Sequence, residues 1–487
     1  LSAIGERVRR LRRERGPDSI ALYLGTAAGF GFLHPLFAQG FMTGLGSRST
    51  YAPASQDCSN KFAVARELYG FPLIQPFPDI DNTGCLVVVG ANPAMSKWSF
   101  LQLTRPLRRF RAIVERGGRL VFVDPRRTET ARAAGEHLFI RPGTDVFFFL
   151  SFLHELIDAG GVDRGRVART ARGLGHLERL ADPWPATRTE GVTGIPAPAL
   201  RGLVESYRDA DGAALYCSTG VNMGGHGALA FWLQEVINAA SGNLDRRGGT
   251  LVGRGAVDFP GFARRHGVLM RDDRSRVGGL RSVNDCHPGG VLADEILTPG
   301  PGQVRALLCT GGNPLITMPN AGRLREALRE LELLVVIDIF RNETAEEAHF
   351  VLPATTPYER PDLPFSFPYF LGAQRRPYLQ ATRRVVAPPS EQWEEPRIFT
   401  ELARACGAPL FGSRALQVLL REGGRLAGGP PQIRRLGISS ETLLSLALRL
   451  ARAGSFDALA DQPHGMLRPR HRPGDFLGKR VLTEDGL

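Results

Sequence analysis

Two short stretches of this sequence repeat each other in residue type and spacing. Gly90-Ala91-Asn92-Pro93 follows one apolar run and Gly311-Gly312-Asn313-Pro314 follows another. After the next apolar run each copy carries an aspartate, Asp124 or Asp338, with Glu-Thr-Ala beginning five residues later, at Glu129 and at Glu343. These residue types suit a nucleotide. Glycine lets the backbone approach a phosphate closely, asparagine offers a donor and an acceptor, and a carboxylate at a strand end accepts hydrogen bonds from a ribose or a base. One Gly-x-Asn-Pro alone marks only a turn; recurrence of both elements in one order points to a duplicated ligand-binding unit. Neither copy contains G-x-G-x-x-G or G-x-x-x-x-G-K-[ST], which argues against NAD and P-loop nucleotides. Elsewhere His226, in a glycine-rich turn before a helix, is the best acid–base candidate, because imidazole titrates near neutral pH.

The elements that must position these residues are legible as apolar runs. Cys85–Val89 is apolar throughout, as in parallel strands covered on both faces. A helical stretch follows to about Arg116 and stops at Gly117-Gly118; a second strand, Leu120–Val123, ends at Asp124. A third strand leads to Arg141-Pro142-Gly143-Thr144-Asp145, where Thr144 or Asp145 caps an apolar helix, Val146–Ala159. The second copy has strands Val304–Cys309 and Leu334–Ile337, a helix around Gly322–Leu331 and a closing run Phe350–Pro353. The expected fold class is therefore α/β: two related, doubly wound dinucleotide-binding subdomains of mainly parallel sheet, followed by a helical segment. Gly253–Gly300 lacks periodicity and reads as a long loop. Gln392–Leu459 reads as helices, the stripe Leu443–Leu450 being core packing. The Pro/Arg-rich Gln462–Gly478 reads as a linker.

At 487 residues the chain is long enough for about three subdomains. The net charge of +12 is carried by arginine; Lys61, Lys97 and Lys479 are the lysines. The arginines are scattered among acids, apart from one run at Arg7–Arg15, so the clustered footprint of a nucleic-acid binder is missing. Cys58, Cys85, Cys217, Cys286, Cys309 and Cys406 form no C-x-x-C pair, which excludes a local zinc or iron–sulfur motif within the chain. No apolar run reaches the roughly 18–20 residues that span a bilayer. The chain opens without methionine, on an arginine-rich amphipathic stretch. A cytoplasmic or periplasmic location is expected, with any export signal outside the chain.

These motifs resemble the molybdopterin oxidoreductases of the dimethyl-sulfoxide-reductase type. The resemblance rests on Gly90–Ser96, Val123–Ala131, Ile140–Asp145, Gly220–Gly227, Trp232–Asn238, Ser241–Gly249, Thr310–Pro314, Asp338–Ala345, Leu352–Ala354 and Glu359-Arg360, in order, over about residues 1–400. It implies two pterin guanine dinucleotides holding one molybdenum or tungsten, a small-molecule substrate, and an iron–sulfur or other electron-transfer subunit as partner. Asn92, Ser96, Asp124, Arg126, Gly143 and Asp145 would contact one cofactor, and Asn313, Asp338 and Thr344 the other; Gly90, Gly220, Asn222 and Gly312 belong to the same motifs. The segment Ser55–Lys61 before Tyr69-Gly70 resembles the family's metal-ligand loop and puts Asp57 at the ligand position. Cys58 is one residue off and is the alternative, since a thiolate suits a soft metal. Asp57 and His226 are then the catalytic candidates. Formate dehydrogenases of this family carry histidine directly after the ligand, where this chain has Cys58.

The resemblance also implies domain bounds: 1–60 as an N-terminal segment with the metal-facing loop, 61–215 and 216–400 as the two dinucleotide-binding domains, and 401–487 as helices leading to a C-terminal barrel. The family's cysteine-rich iron–sulfur domain and most of that barrel are expected to lie outside the chain. The competing expectation is a metal-free relative that serves as a structural or electron-transfer subunit.

Overall fold

A computed structural model describes residues 1–97, 101, 103–364, 369–373, 376–434 and 436–487. It divides into two compact units: Leu1–Gln56, Val268–Tyr369 and Tyr378–Leu467 form the first, and Asp57–Gly267, Phe370–Pro377 and Arg468–Leu487 the second. The strands of the two main sheets, numbered in chain order, are β1 (Ile20–Leu24), β2 (Thr50–Ala52), β3 (Cys85–Val89), β4 (Arg119–Val123), β5 (Glu136–Leu138), β6 (Ala213–Cys217), β7 (His287–Pro288), β8 (Ala306–Thr310), β9 (Leu333–Asp338) and β10 (Phe350–Pro353). The second unit's sheet runs β5-β4-β3-β6 and the first unit's runs β10-β9-β8-β1-β2-β7. Every pairing in both is parallel. No helix among the described residues is long and apolar enough to cross a membrane.

The apolar runs form strands because both faces of the sheet are covered. Cys85, Val87 and Val89 pack into one core with Phe149, Leu153 and Ile237. Leu86 and Val88 pack into another with Phe110 and Ile113. This confirms the α/β reading, and it adds one strand, β6, to the second unit's sheet and three, β1, β2 and β7, to the first unit's. β6 lies beside β3 in the second unit as β1 lies beside β8 in the first, with Leu215 opposite Val87 and Leu22 opposite Leu308. β1 and β6 both read Ala-Leu-Tyr, at Ala21–Tyr23 and Ala214–Tyr216. β1 precedes β8, β9 and β10 in the chain and β6 follows β3, β4 and β5, so these two four-strand sets are related by a circular shift of strand order.

β6 is an edge strand, and its outward backbone groups need partners. In the first unit the corresponding strand is continued by backbone: Leu22 donates from its N–H to the Ser49 carbonyl at 2.9 Å. In the second unit, side chains take that place. Three helices matter here, α1 (Ser59–Tyr69), α2 (Asp145–Asp158) and α3 (Gly227–Ala240). The N–H of Ala213 donates to Asn243 Oδ1, that of Leu215 to Asn238 Oδ1, and that of Cys217 to Gln234 Oε1. Asn238 Nδ2 returns a bond to the Leu215 carbonyl at 3.0 Å, and Lys61 Nζ, from α1, reaches the Cys217 carbonyl at 2.6 Å. Lys61 is buried with its ammonium over the rings of Tyr216 and Phe231, at 5.1 and 4.9 Å. Beside it, the buried carboxyl of Glu235 accepts from Tyr69 and from Gln234 Nε2.

Three expectations are corrected. The stretch read as a linker is docked: the Asp245 carboxylate accepts from the backbone N–H groups of Gly474, Phe476 and Leu477, and Phe476 is fully buried. Composition hides this because the holding group lies far away in the sequence. Gly253–Gly300 contains helices Phe259–His266 and Leu292–Leu297 and is not one continuous loop. The compact units are not bounded at 61–215 and 216–400, because β1 completes the sheet of the first unit while α3 and its flanking turns seal that of the second. Gln392–Leu459 is helical, as expected.

Asn238→Ala leaves the Leu215 N–H and carbonyl without their side-chain partner and the Tyr207 hydroxyl with Ser241 alone. It is expected to destabilise the protein by about 2–4 kcal/mol, read as a lower urea midpoint at unchanged m-value. Burial raises the Glu235 carboxyl to about 7. Below about pH 4.5 it is protonated in both folded and unfolded chains. As pH rises towards 7 the unfolded chain loses the proton first, so stability falls through that window. Glu235→Gln should remove a fall on the order of 2–3 kcal/mol between pH 4.5 and 7, measured by denaturation at each pH.

Candidate functional site

At the carboxyl end of each sheet two glycine loops cross in contact. Gly90, after β3, has φ +56°, and a Cβ there would lie 2.8 Å from the Val221 nitrogen; a Cβ on Gly220, after β6, would meet the Gly90 carbonyl at 2.8 Å. The Gly220 N–H donates to that carbonyl at 3.0 Å. In the first unit Gly311, after β8, has φ +63°, and Ala27 N–H donates to its carbonyl at 3.1 Å. Gly311 is thus the counterpart of Gly90. Gly312, which the motif suggested, is needed for another reason: its Cβ would lie 2.9 Å from Cα of Gly25. Gly311 belongs to the repeated Gly-x-Asn-Pro motif, whereas Gly25 escaped the sequence reading, although it stands just after the repeated Ala-Leu-Tyr strand.

The repeated Asn and Glu-Thr residues hold each other. Asn92 Oδ1 accepts from the Thr130 hydroxyl at 2.6 Å, and its Nδ2 donates to Glu129 at 2.6 Å. Asn313 Oδ1 accepts from Thr344 at 2.7 Å, and its Nδ2 donates to Glu343 at 2.6 Å. Thr130 and Thr344 also accept from the N–H groups of Ala94 and Leu315. Both threonines are fully buried, so Thr344 is a clamp on the Asn-Pro loop and its side chain is closed to any ligand. The amides of Asn92 and Asn313, which are half-buried, are likewise engaged within the protein.

The strand-end aspartates turn the chain in the same way. Asp124 Oδ1 accepts from the Arg126 N–H and Asp338 Oδ1 from the Phe340 N–H, each at 2.9 Å. Both carboxylates are only half-buried. Arg126 is exposed and pairs with Glu129 at 3.2 Å. Ser96 and Gly143 are exposed, and Gly143 takes φ +78° in the turn before α2. Asp145 opens α2; burial raises its carboxyl above the ordinary range, with the nearby charge of Asp124 adding to the effect.

The Asp57 turn meets the same end of the second unit's sheet. Thr219, in the loop after β6, donates to Asp57 Oδ1 at 3.5 Å, and Asn60 Nδ2 to the Asn222 carbonyl at 2.6 Å. Asp57 is exposed, whereas Cys58 is half-buried and its thiol is pushed up to about 12 by burial, with Asp57 adding and Lys61 opposing. Asn222 is buried, yet its Oδ1 has no hydrogen-bond partner. His226 is the exposed residue at which α3 begins. The structure thus brings Asp57, Cys58, Gly90, Gly220, Asn222 and Asp145 into one neighbourhood of the second unit. His34 is buried in the first unit against Thr310 Oγ1 at 2.8 Å, with Nδ1 3.3 Å from Glu395. Burial and the Arg360 guanidinium, which itself pairs with Glu395, lower it to about 3, so it stays neutral and structural.

Comparison with known proteins decides the family. The model of the molybdopterin oxidoreductase family matches residues 1–405. The chain belongs to that family. It is 25% identical over 440 residues to formate dehydrogenase H of Escherichia coli, covering 86% of this chain and 58% of that protein. It is 29% identical over 315 residues to a biotin sulfoxide reductase of Cereibacter sphaeroides, covering 61% of this chain and 41% of that protein. Among solved structures, acetylene hydratase from Pelobacter acetylenicus shares the fold with a TM-score of 0.77 at 20% identity, covering all of this chain and 65% of that one. The chain therefore spans about half the length of the curated relatives it matches. The residues fit a molybdopterin: Asp124, Asp145, Asp338 and the unpartnered Asn222 Oδ1 are acceptors, which suits a heterocycle rich in N–H donors.

Thr130→Val and Thr344→Val each remove one hydroxyl bond to asparagine and one acceptor for a backbone N–H. Each is expected to cost about 1–3 kcal/mol, with the two values alike because the two networks are alike. Faster hydrogen exchange at Ala94 and Leu315, in the respective variants, checks this locally.

Proposed function

We propose that this chain is the core of a catalytic subunit that performs redox chemistry on a small substrate at molybdenum or tungsten held by two pterin guanine dinucleotides, one on each unit. The observation that carries the reading is the repeated strand-end constellation: a half-buried aspartate, a glycine crossing and an Asn–Thr–Glu clamp, on two separate parallel sheets. Ligands of doubly wound sheets bind at this end. Bound there, the cofactor would supply oxygen-atom or hydride transfer and a route for electrons.

The protein's part is to hold and to move protons. Asp124 with Asp145, and Asp338 in the other unit, would accept from the cofactor's N–H groups, and Asn222 Oδ1 would gain the partner it lacks. Asp57 is the proposed protein ligand, since its carboxylate is exposed in the turn that Thr219 and Asn60 hold against the sheet end, while Cys58 carries its proton. His226, exposed at the start of α3, is the proposed proton donor and acceptor. Formate is not proposed as substrate, because Cys58 follows Asp57. The relatives' names span a formate dehydrogenase, a sulfoxide reductase and a hydratase, so the fold leaves the substrate open. Electrons would pass to an iron–sulfur or other electron-transfer partner.

Elemental analysis of the purified full-length protein tests this, with molybdenum or tungsten near one atom per chain expected. Absence of both metals would instead favour a structural or electron-transfer subunit. Asp57→Ala should retain the fold and abolish turnover; full turnover in both Asp57→Ala and Cys58→Ala refutes the ligand assignment.

A further inference from the structure

Two phenylalanines stand exposed beside the strand-end aspartates. Phe139 directly follows β5 and is 62% exposed, and Phe340 lies two residues beyond Asp338 and is 71% exposed. Single exposed apolar side chains need no explanation. These two are set apart by their place, since each adjoins the aspartate at the ligand-binding end of its own sheet.

The attachment differs between the units. Phe340 belongs to the Asp338 turn itself, its N–H donating to the Asp338 carboxylate at 2.9 Å. In the second unit the matching turn position is Arg126, and the aromatic ring comes from the neighbouring strand. There the Asp124 N–H donates to the Leu138 carbonyl at 3.2 Å, and His137 Nε2 lies 3.0 Å from the Asp124 carbonyl. The His137 ring packs edge-on against Phe139, with centroids 4.3 Å apart. Both backbone groups of Asp124 are thereby tied to the residues that carry Phe139, so carboxylate and ring form one fixed assembly.

We propose that Phe139 and Phe340 are stacking faces for a planar nucleotide base, one in each unit, set beside the carboxylates that accept from the edge of that base. An aromatic face with an adjacent acceptor is what a flat, donor-edged base requires, and water wets such a face poorly until a base covers it. The inference rests on the reading of the two units as dinucleotide sites and adds to it the residues that hold the base. It also makes the two sites unequal. The ring in the first unit moves with the aspartate turn, while that in the second is braced by a histidine.

The probe is guanosine diphosphate, titrated by calorimetry into the full chain as purified without cofactor. The wild type should bind two molecules. Phe340→Ala should weaken one site about tenfold or more and leave the other unchanged, and Phe139→Ala should do the converse. Phe340→Leu should behave as the alanine variant does, since it keeps bulk without a π face, whereas Phe340→Trp should retain binding and show quenched tryptophan emission. Unchanged binding in both alanine variants overturns the proposal. So does a wild type that takes up no guanosine diphosphate; if its full-length form nonetheless contains molybdenum or tungsten, the dinucleotide reading survives and only the stacking assignment falls.

Discussion

The edge of the second unit's sheet is closed by side chains, and the candidate site depends on that closure. Two residues along a strand advance about 6.6 Å and four along a helix about 6 Å. The near match lets Gln234 and Asn238, one helical turn apart on α3, serve the N–H groups of Cys217 and Leu215, two residues apart on β6. Asn243 extends the pattern to Ala213. With its edge satisfied, β6 stays in register beside β3, and its following loop is delivered against Gly90 at the crossing where Gly220 and Asn222 sit. Lys61 ties α1 to the same strand, and α1 carries the Asp57 turn. One set of amide and ammonium bonds therefore fixes the glycine crossing, the unpartnered Asn222 oxygen and the exposed Asp57 carboxylate relative to one another.

Much of the fold was legible because parallel strands covered on both faces are apolar without alternation. Cys85–Val89 and Leu120–Val123 could scarcely be anything else, and the second copy repeats them. What escaped was any part whose meaning lies in distant residues. β1 and β6 are no shorter than β3 or β8, but their shared Ala-Leu-Tyr becomes informative only once their positions in the sheets are known. The docking of Phe476 depends on Asp245, and no local pattern announces it.

The candidate site shows a different difficulty, of residues that were noticed while their bracing of one another was not. Asn92, Asn313 and Thr344 repeat faithfully, and repetition in a ligand-binding motif invites the reading of ligand contact. The geometry gives them to each other and to Glu129, Glu343 and Thr130. They recur because a turn at a sheet's carboxyl end needs its own internal bracing, whatever it binds. Asp124 and Asp338, by contrast, keep carboxylates that reach solvent.

The circular shift between the two four-strand sets has a consequence for the order in which they can be assembled. The strands of the second unit's sheet lie within one continuous stretch, Asp57–Gly267, and can pair as soon as that stretch has left the ribosome. β1 and its neighbour β2 precede that stretch, yet the other partner of β1, β8, begins at Ala306, so that edge of Ile20–Leu24 must wait while the whole of the other sheet is synthesised. During that wait one edge of an apolar strand stays unpaired, a circumstance that favours aggregation of nascent chains. Two sheets built on a shared four-strand pattern thus differ in the time at which each can first exist.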